Sequence, residues 1–490
     1  MGLIKRESFY SSIASYTGVV IGYINVVLLF PYYFKPEQFG LTRVLLALAY
    51  ILAQFANLGA FNVILKFFPF YKSNRNQHSS FLIISFLVPL LGFIAVSAIV
   101  YVFRDFILTA YQKDSELIND HFFLVFPLTF FILYMRLLES VSNTYFKTIF
   151  PIVIREVIIR LLTLIAIILY HIDILTFNEF LIVFIGIYGA AVVFLIIYLI
   201  RIGALKIKIV WEGFPESSYR EMANYGFYAL LGGAAVTVVA NIDVVMVSFM
   251  VNLKDTAIYS VAFLIATVIQ LPQRSISQIA IPVLSEAWKN NDLKKIEEIY
   301  RKSSINLILI GNLLFALVWI NVDSLFTYLP EIYSGGKIVV LFILVSKLFD
   351  MYTGVNGEII RLSRYYRFDL VSMVVLVLLV IGTNYIFIPI YGIAGAAFAT
   401  ALSVMIYNLV KLLFIWVKYK MQPFSLDSLK AFAAFGFSIG FGIMIPEIES
   451  HLADIFMRSL ISAGLYLIIV VYFNLSPDLM HLLVKLKIKK

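Results

Sequence analysis

Polar residues in this chain are confined mostly to short breaks between apolar runs of about twenty residues or more, the length a helix needs to cross a bilayer core of about 30 Å. Fourteen such runs can be laid out, at roughly 8–33, 41–66, 80–103, 122–146, 151–170, 178–200, 222–250, 256–284, 303–327, 335–360, 367–389, 392–417, 428–445 and 455–474. The seventh and eighth are long, and the thirteenth is the least distinct. The pattern predicts an all-α polytopic membrane protein with fourteen transmembrane helices. Lys5 and Arg6 precede the first run as they would in a secretory signal. That run is too long for a signal and lacks a small-residue cleavage site, so it reads as an uncleaved first helix.

Composition agrees. Of 490 residues, 62% are hydrophobic and 14% charged, against about 25% charged in soluble domains; mean hydropathy is +0.94. The net charge of +9 would suggest nucleic acid in a soluble protein, but here the bases sit in blocks between apolar runs, so topology accounts for them and no nucleic-acid partner is expected. With the N-terminus inside, 27 Lys and Arg residues fall on the inner side and 6 on the outer. The inner set includes Lys72, Arg75, Arg155, Arg160, Lys206, Lys208, Arg361 and Lys485 to Lys490, the outer set Lys35, Arg43, Arg104, Lys113, Lys254 and Lys337. Both termini are therefore expected in the cytoplasm. The chain has no cysteine, and its five histidines form no ligand pair, so neither metal nor cofactor is expected. An amphipathic stretch, Glu286–Lys302, reads as a helical linker between two bundles; the alternative is a surface helix touching anionic lipid.

The two halves resemble each other. Arg136-Leu137-Leu138-Glu139 in the fourth run matches Lys347-Leu348-Phe349-Asp350 in the tenth, and the second and eighth runs align without a gap, placing Asn57 against Arg274. Six helices per repeat is an even number, so the halves are expected to be parallel, related by an axis along the membrane normal, with a cavity between them. The expected organisation is an N-lobe over 1–201, a C-lobe over 222–418, and two appended helices over 428–474.

Two motifs carry a family resemblance. Pro36-Glu37-Gln38-Phe39-Gly40-Leu41 leads into the second run, and Pro389-Ile390-Tyr391-Gly392-Ile393-Ala394-Gly395-Ala396-Ala397-Phe398-Ala399-Thr400, with Asn384 ahead of it, leads into the twelfth. Pro-Gly steps permit tight turns, and small residues permit close helix approach. With these motifs and a layout of twelve plus two helices, the chain resembles the polysaccharide-transporter branch of the multidrug, oligosaccharidyl-lipid and polysaccharide exporter superfamily. The resemblance implies a monomeric flippase of the bacterial inner membrane. It would move polyprenyl-diphosphate-linked oligosaccharide from the cytoplasmic to the outer leaflet by alternating access, coupled to Na+ or H+.

For such a substrate the groups to seek are binding groups, not catalytic ones. Arginine holds phosphate oxygens through a planar fork, and a charge inside a span costs at least about 2.5–3.5 kcal/mol, so it usually faces a cavity or a partner. Arg274, beside Pro272, is the sharpest candidate, with Gln270 and Gln273 for sugar hydroxyls; the alternative is an arginine bonded to carbonyls that Pro272 frees. Arg136 and Lys347 are candidates too, unless each is neutralised by the acid three residues on. Those acids, Glu139 and Asp350, are candidate proton carriers. Asp243, with Asn241 near it, is a candidate sodium or proton site or a partner of Arg274. Arg43 is a candidate for substrate contact or a snorkelling residue, and Arg458 reads as a snorkelling anchor. Asn57 joins the substrate set, although for it and Asn25 helix–helix hydrogen bonding is the plainer role.

A multidrug and toxin extrusion antiporter is the alternative function, but it should have twelve helices and an acid-weighted cavity. A membrane glycosyltransferase or polymerase should carry a long outer loop. The longest outer loop here, about 104–121, is too short for that, so no enzyme is expected.

Overall fold

In a bilayer core every backbone N–H and C=O must be satisfied within the segment, and apolar runs of this length meet that condition as helices. In the computed structural model they do so throughout. The structure describes residues 2–71, 75–110, 115–205, 216–446 and 449–475, and among these there is no strand. Lys72, Lys113, Lys206, Lys208 and Lys485 to Lys490 lie outside the described residues, as do the side chains of Lys5, Arg6 and Arg75.

Twelve described helices are long and apolar enough to cross a membrane. One of them, Tyr366–Tyr419, is broken at Gly392 (φ 58°, ψ −134°) and holds the eleventh and twelfth crossings. The fifth crossing is present in pieces, Ile149–Val153, a π turn Ile154–Ile158 and Ile159–His171. With those two allowances the fourteen expected crossings are accounted for.

The helices used below are α1 (Gly2–Tyr23), α2 (Pro36–Ala56), α3 (Ala60–Tyr71), α4 (Arg75–Val102), α5 (Val125–Thr144), α6 (Ile159–His171), α7 (Phe177–Arg201), α8 (Glu216–Met250), α9 (Leu253–Thr267), α10 (Leu271–Lys289), α11 (Leu293–Ile320), α12 (Lys337–Tyr352), α13 (Asn356–Leu362), α14 (Tyr366–Tyr419), α15 (Leu426–Met444) and α16 (His451–Tyr472).

The chain divides into two compact units, Met1–Ser260 and Val261–Lys490. In the first, α2 packs against α4, α5 and α8, and α7 against α5 and α6. Its second crossing is not one helix. It breaks between α2 and α3, where Leu58 and Gly59 take positive φ (48° and 84°), and an added Cβ at Gly59 would collide with the Gly226 backbone. Asn57 caps this break, donating to the Gln54 carbonyl and accepting from the Gly59 N–H at 2.8 Å.

In the second unit, α12 packs on α11 and α14, and α13 on α10 and α14. Ala280, Leu284, Ile296, Tyr300, Ile359 and Ile415 interlock in one core. Ile308 and Leu309 of α11 receive Ala431, Ala434, Tyr466 and Val470 of α15 and α16 in another. The appended helices therefore dock on the ninth crossing, where the Tyr466 hydroxyl donates to the Leu309 carbonyl at 3.1 Å. Arg458 is not the snorkelling anchor expected of it. It is buried and paired with Asp454 (2.9 Å), whose other oxygen accepts from Ser324 (2.7 Å).

Glu286–Lys302 is not one surface helix. It comprises the ends of α10 and α11 around a turn at Asn291 (φ 52°), with Asp292 capping α11 through the Lys295 N–H at 2.9 Å. Its acids and bases pair along α11, Arg301 with Glu297 (2.7 Å) and Lys302 with Glu298 (2.8 Å).

Candidate functional site

Among the described residues, each unit holds a polar cluster in which a charged motif on one helix lies beside a break in another. In the first unit, Arg136 of α5 donates to the Gln54 side chain at 3.4 Å, three residues before the break in the second crossing, and lies 5.2 Å from the Phe61 ring centroid. Glu139, one turn on, does not pair with Arg136. It is taken by Arg155, which also reaches Glu156 at 3.1 Å, while Glu156 holds Arg160 at 2.7 Å. The self-neutralised pair is therefore not formed.

The π turn Ile154–Ile158 carries Arg155 and Glu156, and α1 carries a second at Ile24–Leu29. Asn25, in that second turn, donates to the Arg160 carbonyl at 2.8 Å, which is the helix–helix role read for it, and Arg160 donates back to the Gly18 carbonyl. Tyr50 of α2 lies within electrostatic reach of Arg136, Arg155, Arg160 and Glu156 and shares a hydrogen bond with Tyr188. Arg43 completes the set. Its Nε is buried without a hydrogen-bond partner, and its charged or ionisable neighbours are Tyr188, Tyr50 and Arg160, with no carboxylate among them. Four guanidinium groups (Arg43, Arg136, Arg155, Arg160) thus stand against two carboxylates (Glu139, Glu156).

Asn57 is buried, and its amide nitrogen and oxygen both bind the backbone of the break. Asp243 is buried and accepts from the Tyr259 hydroxyl at 2.6 Å. Asn241 turns to the Thr237 carbonyl of its own helix (2.8 Å).

In the second unit the break expected at Pro272 is a 3-10 turn, Val268–Gln270, between α9 and α10. Gln270 and Gln273 flank it and donate to Asp350 of α12 at 3.3 and 3.0 Å, while Asn408 of α14 donates to the other oxygen at 2.9 Å. Asp350 is held by amides and makes no ion pair with Lys347, which lies 5.7 Å from the Phe263 ring centroid. Asn408 in turn accepts from Thr353 and Asn356 at 3.2 and 3.1 Å.

Arg274 stands apart. It is exposed and has no hydrogen-bond or ion-pair partner among the described residues, so it does not cap the carbonyls near Pro272. Arg274, Gln278, Ser285 and Lys289 recur on one face of α10 and are all exposed, with Ile281 exposed among them.

The sequence pattern counts Arg155 and Arg160 among the inner-side bases and gives no role to Glu156, Tyr50 or Asn408. Glu156 four residues before Arg160 is a pairing pattern for one helical face and marks those bases as interior. The place of Tyr50 has no such local signal.

The family model for polysaccharide biosynthesis proteins matches residues 4–288, more than half of the chain. The chain belongs to that family. A second family model, MatE, matches residues 229–386, and no curated protein sequence matches. Among solved structures, the lipid II flippase MurJ in an inward closed conformation superimposes with a TM-score of 0.76 at 18% identity, covering 96% of this chain and 99% of that one. A multidrug resistance MATE family transporter of the MOP superfamily gives 0.62 at 13% identity in its inward-facing conformation, covering 84% and 94%. An outward-facing one gives 0.57 at 12%, covering 85% and 96%. By family the chain is a polysaccharide biosynthesis protein, and its multi-pass helical membrane fold is the one these solved structures share.

Proposed function

We propose that this polysaccharide biosynthesis protein flips a polyprenyl-diphosphate-linked oligosaccharide from the cytoplasmic to the outer leaflet of the bacterial inner membrane. Both termini would be cytoplasmic, and the two lobes, 1–201 and 222–418, would alternate access. One observation carries the reading: the interior of the first unit holds four arginines against two glutamates, with the Arg43 Nε buried and unpartnered. An uncompensated interior charge is costly unless a ligand of opposite sign compensates it, and a diphosphate supplies that sign and accepts forked hydrogen bonds. Arg274, free at the exposed face of α10, and Lys347 add cations in the second unit.

Coupling to H+ is proposed to run through Asp350, a carboxylate bound by three amide donors and no cation. Asp243, also within the 222–418 lobe, is proposed as a further Na+ or H+ group. Glu139 belongs to the arginine cluster and tunes its charge.

The MatE match over residues 229–386 supports a second reading, extrusion of organic cations. The positive excess in the first unit opposes such substrates. Deletion of the gene, followed by leaflet-resolved analysis of lipid-linked sugars, tests the choice. Accumulation on the cytoplasmic side supports the flippase; unchanged intermediates with new sensitivity to cationic dyes support the antiporter.

A further inference from the structure

Below Asp350 in the second unit lies a buried ionic pair of elements with no part in the binding scheme. Lys411 of α14 is only 5% exposed, and Asp369, in the first turn of the same broken helix, is 4% exposed. The Lys411 ammonium can give three hydrogen bonds and makes one, to the Tyr407 hydroxyl at 3.3 Å, with the Tyr407 ring centroid 4.5 Å away. It sits so close to Gly357 that an added Cβ there would lie 2.7 Å from Nζ. Asp369 is equally under-used. One oxygen lies 3.6 Å from Arg361, and the other, Oδ1, is buried with no partner.

The charged and ionisable groups facing Lys411 are Asp350 from α12, Glu358 and Arg361 from α13, Asp369 from the start of α14, and Tyr407 from its own turn. Lys411 and Asp369 are in electrostatic contact but not in an ion pair within 4.0 Å. Each therefore presents unfilled hydrogen-bonding capacity to the same buried space. Tyr407 lies within electrostatic reach of both Asp369 and Asp350, and its hydroxyl accepts from Lys411, leaving its own proton to donate. Asn408, next in sequence, is bonded to Asp350. Arg361, at the far end, is 55% exposed. Arg361 thus lies beside Asp369, and Lys411 is bonded to Tyr407; between Asp369 and Lys411, and between Tyr407 and Asp350, the groups are electrostatic neighbours without a direct hydrogen bond.

We propose that Asp369, Lys411 and Tyr407 form a proton relay that connects Asp350 with solvent at the Arg361 end of the second unit; the direction of use rests on the coupling role proposed for Asp350. The Lys411 ammonium gives a proton to the Tyr407 oxygen as the Tyr407 hydroxyl proton passes, through a bridging water that takes one proton and gives another, to the Asp350 carboxylate. This leaves a neutral amine, a neutral phenol and a carboxylic acid. The amine takes a replacement proton, again through water, from the Asp369 carboxyl, which is refilled from solvent beside Arg361. Unfilled donor and acceptor capacity at both Lys411 and Asp369 suits groups that exchange a proton through water, whereas a purely structural pair would close into a direct ion pair.

Two measurements on the full chain test this. The first is a substrate-free proton titration of the purified protein, comparing wild type with Lys411→Met and Asp369→Asn. Each variant is expected to bind on the order of one proton fewer per molecule over the titrated range; curves that coincide with wild type for both would overturn the relay. The second uses liposomes and a fluorescent short-chain polyprenyl diphosphate. The ratio of flipping rates with and without a pH gradient is expected to fall to unity in both variants, and a ratio equal to wild type in both would overturn it. If Lys411→Met fails to fold, Asp369→Asn carries both measurements. A titration difference in a wild-type protein that flips nothing would sink the flippase reading while supporting the relay.

Discussion

Arg155, in the π turn ahead of α6, forms an ion pair with Glu139 of α5, the acid that sequence spacing assigns to Arg136. The exchange of partners matters because it leaves Arg136 with a neutral ligand, Gln54 (3.4 Å), and an electropositive face. Removing Arg155 should therefore expose a mostly buried Glu139 without its cation. We expect Arg155→Ala to lower stability by about 1–3 kcal/mol, less than the ~3–5 kcal/mol of a fully buried pair because Arg155 is partly exposed. The double variant Arg155→Met with Glu139→Gln should recover most of that. Thermal unfolding of the solubilised protein, run as a double-mutant cycle, measures the coupling; strictly additive effects would mean that the pair contributes nothing.

Arg274 behaves oppositely. It touches no polar partner among the described residues, so its loss should cost little stability and much transport. Arg274→Ala is expected to abolish flipping while the protein remains in the membrane at wild-type amount, and Arg274→Lys to restore it in part, since an ammonium supplies charge without the planar fork. Membrane fractions assayed side by side for protein and for flipping give the answer. An alanine variant with full activity would remove Arg274 from the substrate path.

Helix number and motif position were legible because both rest on local pattern: apolar length, Pro-Gly steps and small residues act over a few positions of sequence. Arg274, Arg136 and Asp350 were legible as polar residues inside apolar runs. Their partners were not. Glu139 pairs across crossings with Arg155, and Asp350 receives Asn408 from 58 residues away; nothing in spacing along one helix reports such contacts. Arg155 and Arg160 were legible only as inner-side bases of the fifth run, because the π turn that carries Arg155 leaves no compositional mark. Arg458 shows the same limit, since its position near a crossing's end could not reveal that it is buried against Asp454, which Ser324 also holds.

Arg458 and Asp454 should be a structural clamp for the appended helices. Their side chains are 10% and 2% exposed and 2.9 Å apart. Asp454→Ala or Arg458→Ala alone should each destabilise by about 3–5 kcal/mol, because each leaves an uncompensated buried charge, while replacing both with apolar residues should be near neutral. Trypsin sensitivity of the α15–α16 segment in native membranes should follow the same order. Equal resistance in wild type and both single variants would show that the clamp is not needed.

Two of the three glycines in the family motifs, Gly40 and Gly392, should differ in how much they matter. Gly40 lies where α2 meets the start of α9, and an added Cβ would collide with the Leu253 carbonyl. That atom belongs to the backbone, so relief would require shifting a helix. Gly392 has φ 58° and ψ −134°, with nothing within 4 Å of an added Cβ. That ψ lies outside the αL well, in a region side chains avoid, so a substitution meets backbone strain of about 1–3 kcal/mol but no clash with a neighbour. We therefore expect Gly392→Ala to lower the melting temperature moderately, and Gly40→Ala to accumulate poorly or unfold at much lower temperature. Gly392→Asn should fare no better than alanine, since the tolerance of asparagine is for αL. Size-exclusion profiles and melting curves of the three variants decide it. A Gly40→Ala protein as stable as Gly392→Ala would mean that α2 and Leu253 are free to separate, and the close approach assigned to the Pro-Glu-x-Phe-Gly step would lose its physical basis.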